Sequence, residues 1–471
     1  MITRTPQHVV SGRPMTARQF FRVALVGLGT SVVPLDSAVN IAFPAITTYF
    51  DLPVQMIQWV VICYVLTHAS LLLAFGRLGD VCGHARVFRA GLLWNTAAFL
   101  CCAAAPSFAW LLFARFLQGI GASLILSCAP ALLTNLFPER RRSTAIAVFT
   151  TMHALGSAIG PLLGGVLVDL WGWPAVFWFR APIALTALVF LKGLPPAPRL
   201  VAREPVDILG AFLLALAIST ALLSLSQLQQ PEWELFMLMM PGFAIATAFA
   251  FVLRERRAPF PTINLGLFLI RGFAAANCAS FLVNLTSFSV LLFVPYYLVR
   301  YTGLPLPLAG TVLAASSAAA IAASPMAGLL IERLPASWIA AFGAALTGSG
   351  LCLVGGWEPG TSPLGMIMTL SVHGLGLGLF QVAYMDVVMA TLAPQHRGVA
   401  GSLTMLTRTL GVVIGAALLT LIFHAREASA LAGGASPESG FISAFGGIFR
   451  LAGAAAGLAA VVIVLSRRHR R

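Results

Sequence analysis

Long apolar runs, separated by short polar or charged segments, occupy almost the whole of this chain. Each run is long enough to cross a hydrocarbon layer of roughly 30 Å as an α-helix, which rises about 1.5 Å per residue. The pattern therefore predicts an all-α membrane protein with about fourteen spans. The runs lie at about 20–49, 54–78, 86–105, 108–136, 144–170, 174–195, 207–229, 234–254, 272–300, 306–331, 335–356, 362–392, 399–423 and 440–466.

Charged residues between the runs predict how the chain crosses the membrane. If the N-terminus is cytoplasmic, the inner segments hold most of the arginines, including Arg140 to Arg142 and those of the C-terminal tail. Such a bias follows the positive-inside rule, and it predicts an even number of spans with both termini in the cytoplasm. The opposite segments carry acidic residues instead: Asp51, Glu232, Glu234, Glu358 and Glu438.

Composition narrows the class of protein further. Apolar residues make up 59% of the 471 residues and charged residues 9%, and the mean hydropathy is +0.91. Soluble domains contain roughly 25% charged residues, so these values exclude a cytosolic enzyme, a disordered chain and a disulfide scaffold. The net charge of +14 is assigned to membrane topology and to anionic lipids rather than to nucleic acid. The seven cysteines form no CxxC pair, and we expect no metal site and no cofactor.

Asp36 lies in the middle of the first run, where a charge costs several kcal/mol. Such a residue must face the interior of the helix bundle, pair with a cation or carry a proton. One interpretation is a structural ion pair, and the other is a site that binds and releases a proton or another cation. Asn40, one turn further along, is a candidate for the lining of a substrate cavity.

Arg115, in the fourth run, is the natural partner for Asp36. Arginine does not readily lose its charge, so a buried arginine requires an acceptor or water. Gln118 follows one helical turn later on the same face, and it is a second candidate for the substrate cavity. Arg115 is either a structural strut or a partner of Asp36 in proton coupling.

The fifth run carries Gly156, Gly160 and Gly164 at intervals of four residues, with Pro161 and Gly165 beside them. Glycines at this spacing form a flat stripe on one helix face, which lets another helix approach closely, and proline introduces a bend. The pattern predicts a tight helix contact along the stripe.

A charged, glycine-containing loop is predicted between the second and third runs. It contains Gly76, Gly79, Asp80, Gly83 and Arg86. Asp80 is placed to accept hydrogen bonds from the amides at a helix N-terminus, and Arg86 to pair across the cytoplasmic face. The alternative interpretation is an ordinary polar turn.

Other polar and aromatic residues are candidates for the transport pathway. Asp386 is either a second acidic site for proton coupling or a residue that reaches the cytoplasmic surface. Arg180 faces either a cavity or the outer surface. Trp59, Phe288 and Tyr296 are candidates for lining the substrate cavity, and the alternative for such aromatic residues is anchoring at the membrane interface.

In this order, the four motifs resemble the major facilitator superfamily, specifically its fourteen-span drug:proton antiporters. Asp36 and its surroundings resemble that family's first-span motif, Gly76 to Arg86 its loop motif, and Arg115 to Gly121 its fourth-span motif. Gly156 to Gly165 resembles the fifth-span signature associated with antiport. The resemblance covers nearly the whole chain and implies a bacterial plasma-membrane protein.

The resemblance also implies a major-facilitator-type fold, with two six-helix bundles and two additional transmembrane helices. The longest hydrophilic connector, at 193–206, contains four prolines and suits a semi-extended link between the bundles. The expected domains are a cytoplasmic tail at 1–17, an N-terminal bundle at 18–195, a linker with two additional helices at 196–259, a C-terminal bundle at 260–466 and a basic tail at 467–471.

By the same resemblance, the chain is a proton-coupled exporter of amphipathic or hydrophobic small molecules, active in drug efflux by alternating access, and not an enzyme. Export of an endogenous metabolite, siderophore or lipid would use the same mechanism. A transport-inactive membrane sensor is the alternative from another class. The expected partners are the substrate, protons and the lipid bilayer, with the chain acting as a monomer and without nucleic acid.

Overall fold

The computed structural model describes residues 17–136, 142–191, 207–227, 234–258, 265–391 and 397–468. Within these ranges the chain forms α-helices and short 3₁₀ segments and contains no strand. The all-α prediction is therefore confirmed for these ranges. Most of the predicted N-terminal tail, part of the C-terminal tail and the whole proline-rich connector lie outside them.

The first span is broken near its middle. Pro34 and Pro44 lack an N–H donor, and each lies in the first turn of a new segment instead of continuing the previous one. The break places Asp36 in a 3₁₀ turn, where its backbone N–H donates to the carbonyl of Val33 at 3.0 Å. The segments are α1 (Ala17–Ser31), the 3₁₀ segment Pro34–Ser37, α2 (Ala38–Ile41) and α3 (Phe43–Tyr49).

The other helices lie on the predicted runs, with their ends shifted by some residues. Those of the first half are α4 (Gln58–Cys82), α5 (His84–Ala103), α6 (Phe108–Leu136), α7 (Arg142–Trp171), α8 (Ala175–Trp178) and α9 (Arg180–Phe190). Those that follow are α10 (Ile208–Gln227), α11 (Glu234–Arg257), α12 (Arg271–Tyr301), α13 (Leu306–Ile331), α14 (Ala336–Val354), α15 (Pro363–Thr391), α16 (Arg397–Ala432) and α17 (Pro437–Arg468).

Nine segments within the described ranges are long and apolar enough to span a membrane. Other helices carry shorter apolar stretches: Gln58–Leu72 in α4, Ala175–Phe190 across α8 and α9, and Phe212–Ala221 in α10. The chain is thus an all-helical membrane protein with several spans, and the number fourteen stays a prediction.

The predicted loop between the second and third runs is wrong in its extent. Gly76, Gly79 and Asp80 lie in the last turns of α4, and Gly83 alone separates α4 from α5. Gly83 has a φ of +93°, which residues with a Cβ disfavour, so a single glycine suffices for the reversal. Arg86 lies in the first turn of α5 and donates back to the end of α4. The side chain of Asp80 lies outside the described part of the structure.

The helices pack in two groups that share one hydrophobic core. Helices α1 to α9 contact mainly one another, and so do α12 to α17. A single core, here called the shared core, contains residues of both groups, such as Phe43 of the first and Tyr296 of the second. Beyond it, each group has its own core, with Phe88 in the first and Phe380 in the second. Among the described residues, the groups are therefore joined at one end and have separate cores at the other.

Helices α10 and α11 form a pair outside the two groups. They contact each other, and α10 also touches α4 and α16. The hydroxyls of Thr220 and Thr247 lie 3.1 Å apart between the two helices, and Arg254 pairs with Asp207 at 3.0 Å. The domain limits at 18–195, 196–259 and 260–466 stay predictions.

Candidate functional site

The carboxylate of Asp36 accepts hydrogen bonds from three side chains. Arg115 binds it with both terminal nitrogens, at 2.6 Å from Nη1 to Oδ1 and 2.8 Å from Nη2 to Oδ2. Arg180 donates from Nη1 to Oδ1 at 2.7 Å, and Gln118 from Nε2 to Oδ1 at 2.9 Å. These four residues are called the Asp36 cluster below.

Arg115 is held in place by further contacts. Its Nε donates to the carbonyl of Val60 at 2.9 Å, and its Nη1 also donates to Gln118 Oε1 at 2.7 Å. The guanidinium lies over the ring of Tyr64, 4.3 Å from the ring centre. A planar, bidentate contact of this kind suits arginine and cannot be reproduced by lysine. The predicted pairing of Asp36 with Arg115 is present in the structure, and the role of the pair in proton coupling stays a prediction.

Arg180 is a second cation on the same carboxylate, which the sequence left undecided. Its side chain is 0% exposed, and its Nε donates to the carbonyl of Val176 at 3.1 Å. The guanidinium lies over the ring of Phe99, 4.4 Å from the ring centre. Its Nη2 has no hydrogen-bond partner among the described residues. Arg180 therefore faces the interior of the first group.

The Asp36 cluster carries an excess of positive charge. Two guanidiniums and one carboxylate sum to +1, with side-chain exposures of 2% for Arg115, 0% for Arg180 and 14% for Asp36. A buried charge is tolerated only when it is paired and hydrogen-bonded, and here the single carboxylate offsets one of the two positive charges. Asp36 is the most exposed of the three. Within the described ranges, no three His, Cys, Asp or Glu side chains are grouped as metal ligands.

The glycine stripe of α7 lies against the broken first span. A Cβ on Gly160 would collide with the hydroxyl of Ser37, the residue that follows Asp36. Ser37 also donates to the carbonyl of Ser157 on α7, at 3.0 Å. Gly156 and Gly164 face the same span, one turn to either side of Gly160. Because α7 has no side chains here, the 3₁₀ turn can approach its backbone closely.

Gly165, which follows the glycine stripe, belongs to a contact between the two groups. A Cβ on Gly165 would meet the carbonyl of Leu306, at the start of α13, and one on Gly310 would meet the carbonyl of Pro161. The predicted antiport motif therefore makes two contacts, one with the first span and one with the second group.

The Asp36 cluster lies where two hydrophobic cores meet. Val33, just before it in the chain, belongs to the separate core of the first group, and Ala38, just after it, belongs to the shared core. A change in how the two groups pack would therefore act directly on the 3₁₀ turn that carries Asp36.

Other predicted site residues are placed apart from the cluster. Asp386 is exposed near the end of α15 and makes no contact with Asp36. Phe288 and Tyr296 are buried in the shared core, and their role in lining a substrate cavity stays a prediction. Asn40 is buried, and Trp59 is partly buried against the shared core.

Sequence reasoning missed the aromatic rings around the cluster. Tyr64 and Phe99 each cover one guanidinium, and Phe177 lies within 6 Å of both, at 5.9 Å from Arg115 and 5.6 Å from Arg180. One signal was available, because Phe177 and Arg180 lie one helical turn apart in a run that has no acidic residue. An arginine there needs a partner from elsewhere in the chain.

Comparison with known proteins finds one family model and several transporters that are similar to this chain. A family model described as Major Facilitator Superfamily matches residues 23–416 and 276–471. The riboflavin transporter RibZ of Clostridioides difficile strain 630 is 28% identical, over 85% of this chain and 87% of its own. The tetracenomycin C resistance and export protein of Streptomyces glaucescens is 29% identical, over 99% of this chain and 94% of its own.

The fold has counterparts among solved structures. One is a bacterial homologue of the human lysosomal transporter Spinster in an inward-facing, unoccupied conformation. The TM-score is 0.69 at 15% identity, and the match covers 96% of this chain and 99% of that one. At this identity the likeness concerns the fold alone.

Proposed function

The chain belongs to the Major Facilitator Superfamily, and from this premise we propose that it is a proton-coupled exporter of amphipathic or hydrophobic small molecules. The observation that carries the proposal is the buried Asp36 cluster, in which one carboxylate binds two arginines at the break of the first span. An ionisable group inside a membrane protein is retained at an energetic cost, and such groups mark ion and substrate pathways.

A proton can act on the cluster by changing its charge. When Asp36 takes up a proton, Arg115 and Arg180 lose their counter-charge, and the two buried cations repel each other. The cluster relaxes if the 3₁₀ turn moves away from the arginines, and α7 follows because its glycine stripe is in contact with that turn. Because Gly165 and Pro161 of the same helix contact α13, this motion changes how the two groups pack.

The shared core suggests which state the structure represents. The groups are joined at the end that the charge pattern assigns to the outside, and their cores are separate at the cytoplasmic end. We propose that this arrangement corresponds to an inward-facing transporter. We propose fourteen spans with both termini in the cytoplasm of a bacterium, and a transporter that acts as a monomer.

Drug efflux is the favoured activity, because the tetracenomycin C resistance and export protein aligns with 99% of this chain. Transport of an endogenous metabolite is the second candidate, because the riboflavin transporter RibZ aligns with 85% of it. Growth inhibition across a chemical panel, in an efflux-deficient host with and without the protein, separates the two. Drug export predicts resistance to several unrelated compounds, whereas metabolite export predicts no such resistance.

Proton coupling is tested in proteoliposomes with a compound that the panel identifies. We expect substrate-driven proton movement with the wild-type protein and none with Asp36→Asn. Asp169→Asn is the matched control, because Asp169 is an exposed carboxylate on α7 that is not part of the cluster. Unchanged coupled transport by Asp36→Asn would remove Asp36 from the mechanism.

A further inference from the structure

An open cavity of about 550 Å³ lies between the last two helices, α16 and α17, and is called the α16–α17 groove below. Its volume falls within the range of roughly 300–1,000 Å³ that is usual for ligand pockets. The lining residues of α16 recur every four residues, so they share one helix face, and Ser443 lines the groove from α17. Those of α16 are Leu421, Ile422, Ala425, Arg426, Ser429 and Ala430.

The groove lies near the ends at which α16 and α17 are joined. Arg426 lies six residues before Ala432, where α16 ends, and Ser443 lies six residues after Pro437, where α17 begins. At about 1.5 Å per residue, each lies roughly 9 Å from its helix end. Both walls belong to apolar segments that are long enough to span a membrane. The groove therefore lies near the end of two spans, where charged side chains reach the lipid headgroups.

The polarity of the lining changes along the groove. Leu421 and Ile422, about one turn closer to the middle of the span than Arg426, are apolar. Ser429, about one turn closer to the helix end, carries a hydroxyl, which donates to the carbonyl of Ala425 at 2.8 Å. An apolar lower part under a polar upper part matches a lipid, whose acyl chains lie below its phosphate.

Arg426 is exposed, and its guanidinium lies against the other helix. A Cβ on Gly447 of α17 would lie 3.1 Å from Cζ and 3.2 Å from Cδ of Arg426, so the arginine packs on the bare backbone of that glycine. Among the described residues that line the groove, Arg426 alone carries a charge, and Glu427 is not part of the lining. The positive-inside rule does not explain this arginine, because it lies at the end opposite the basic C-terminal tail.

We propose that the α16–α17 groove binds an anionic phospholipid, with Arg426 and Ser443 on the phosphate and with Leu421 and Ile422 on an acyl chain. A guanidinium offers a planar pair of donors that matches two phosphate oxygens, and a hydroxyl offers one more. The occupant is a lipid rather than a soluble anion, because both walls are membrane spans and the lining below Arg426 is apolar. The bound phosphate joins the ends of the two helices.

The test uses phosphatidylglycerol with a photoreactive diazirine on its acyl chain, close to the glycerol. The purified full-length protein is irradiated with this probe in a neutral detergent, and the adducts are located by peptide mass spectrometry. We expect adducts within residues 421–443, and fewer with the matching phosphatidylcholine probe, whose headgroup has no net charge. Arg426→Gln should lower the phosphatidylglycerol adducts about fivefold or more, because a charge-assisted hydrogen bond is lost.

Two further variants and a competitor separate the groove from general charge effects. Arg426→Lys keeps the charge and should retain part of the labelling. Arg300→Gln removes an exposed arginine at the same end of the molecule, next to Tyr301, which stacks on Phe441 of α17 at 4.6 Å between ring centres. Arg300 does not line the groove, so labelling should stay unchanged. Glycerol 3-phosphate, which has the headgroup phosphate but no acyl chain, should not compete even in large excess.

The inference is overturned if no adducts fall within residues 421–443, if the two lipids label this region equally, or if Arg426→Gln has no effect. Equal losses in Arg426→Gln and Arg300→Gln would also overturn it, and competition by glycerol 3-phosphate would show a site for a soluble anion instead. If Arg426→Gln does not fold, the comparison of the two lipids on the wild-type protein decides. Labelling needs neither substrate nor a proton gradient, so its outcome is independent of the proposed function.

Discussion

The two groups of helices each bury a polar network, and the networks differ in charge. In the first group, Asp36 is bound by two arginines and a glutamine. In the second, Asn277 Oδ1 accepts from the hydroxyls of Tyr384 at 3.0 Å and Thr407 at 3.1 Å, and all three residues are buried.

The difference concerns which of the two networks can change its charge. An amide and two hydroxyls fix the packing of α12 against α15 and α16, but they keep the same charge at physiological pH. The carboxylate network changes from +1 to +2 when Asp36 is protonated. On the proposed function, the carboxylate network is the one of these two that responds to a proton, and the second group follows through the contacts of α7 with α13.

The largest effect is expected from Arg115→Gln. This change removes both bonds to Asp36 and the bond to Val60, and breaking a buried ion pair costs about 3–5 kcal/mol. We expect coupled transport in proteoliposomes to fall about 100-fold or more. Arg115→Lys should not restore it, because an ammonium cannot make the bidentate contact. Activity near wild type in either variant would contradict the assigned role.

The next largest effect is expected from Arg180→Gln. Asp36 keeps Arg115, so the ion pair survives, but the site loses its excess positive charge. Without the second cation a proton binds Asp36 more readily, and the midpoint of the pH dependence of transport should move upward by about one pH unit or more. The transport rate measured against pH checks this. A midpoint that stays in place would mean that Arg180 has only a structural role.

A smaller effect is expected from Gly160→Ala, which tests the contact between α7 and the first span. The added methyl would overlap the hydroxyl of Ser37, and such overpacking costs about 1–3 kcal/mol. We expect a lower melting temperature of the purified protein and weaker transport. Gly242→Ala on α11 is the matched control, since no atom lies within 4 Å of its Cβ position. Equal effects of the two changes would argue against a close contact at Gly160.

The smallest effect is expected in the neutral network. Thr407→Val removes one neutral hydrogen bond of Asn277, which is worth about 1 kcal/mol. Stability should fall slightly, and the proton-to-substrate ratio measured in proteoliposomes should stay at its wild-type value. A change in that ratio would show that the second group also takes part in coupling.

The sequence predicted those parts of the site that carry an isolated charge or a regular spacing of residues. Asp36 and Arg115 stand out because each is an isolated charge inside an apolar run, and Gly156, Gly160 and Gly164 stand out by their interval. The all-helical fold follows from the length of the runs.

Other parts depend on geometry that an apolar run does not encode. Arg180 lies near the start of its run, so the pattern fits a residue at the membrane surface as well as a buried one. Phe179 separates α8 from α9, and Arg180, the first residue of α9, reaches Asp36 with its side chain. Uniformly apolar helices do not reveal their rotation, and for this reason the sequence did not predict that Phe288 and Tyr296 lie in the shared core.

The central claim is that Asp36, which is bound by Arg115 and Arg180, takes up and releases a proton during transport. Infrared difference spectroscopy tests this claim most directly. The spectrum of the purified protein with substrate minus that without it reports the carbonyl stretch of a protonated carboxyl group. We expect such a band in the wild-type protein and in Asp169→Asn, and its loss in Asp36→Asn. A band that persists in Asp36→Asn, or a wild-type protein without one, would contradict it.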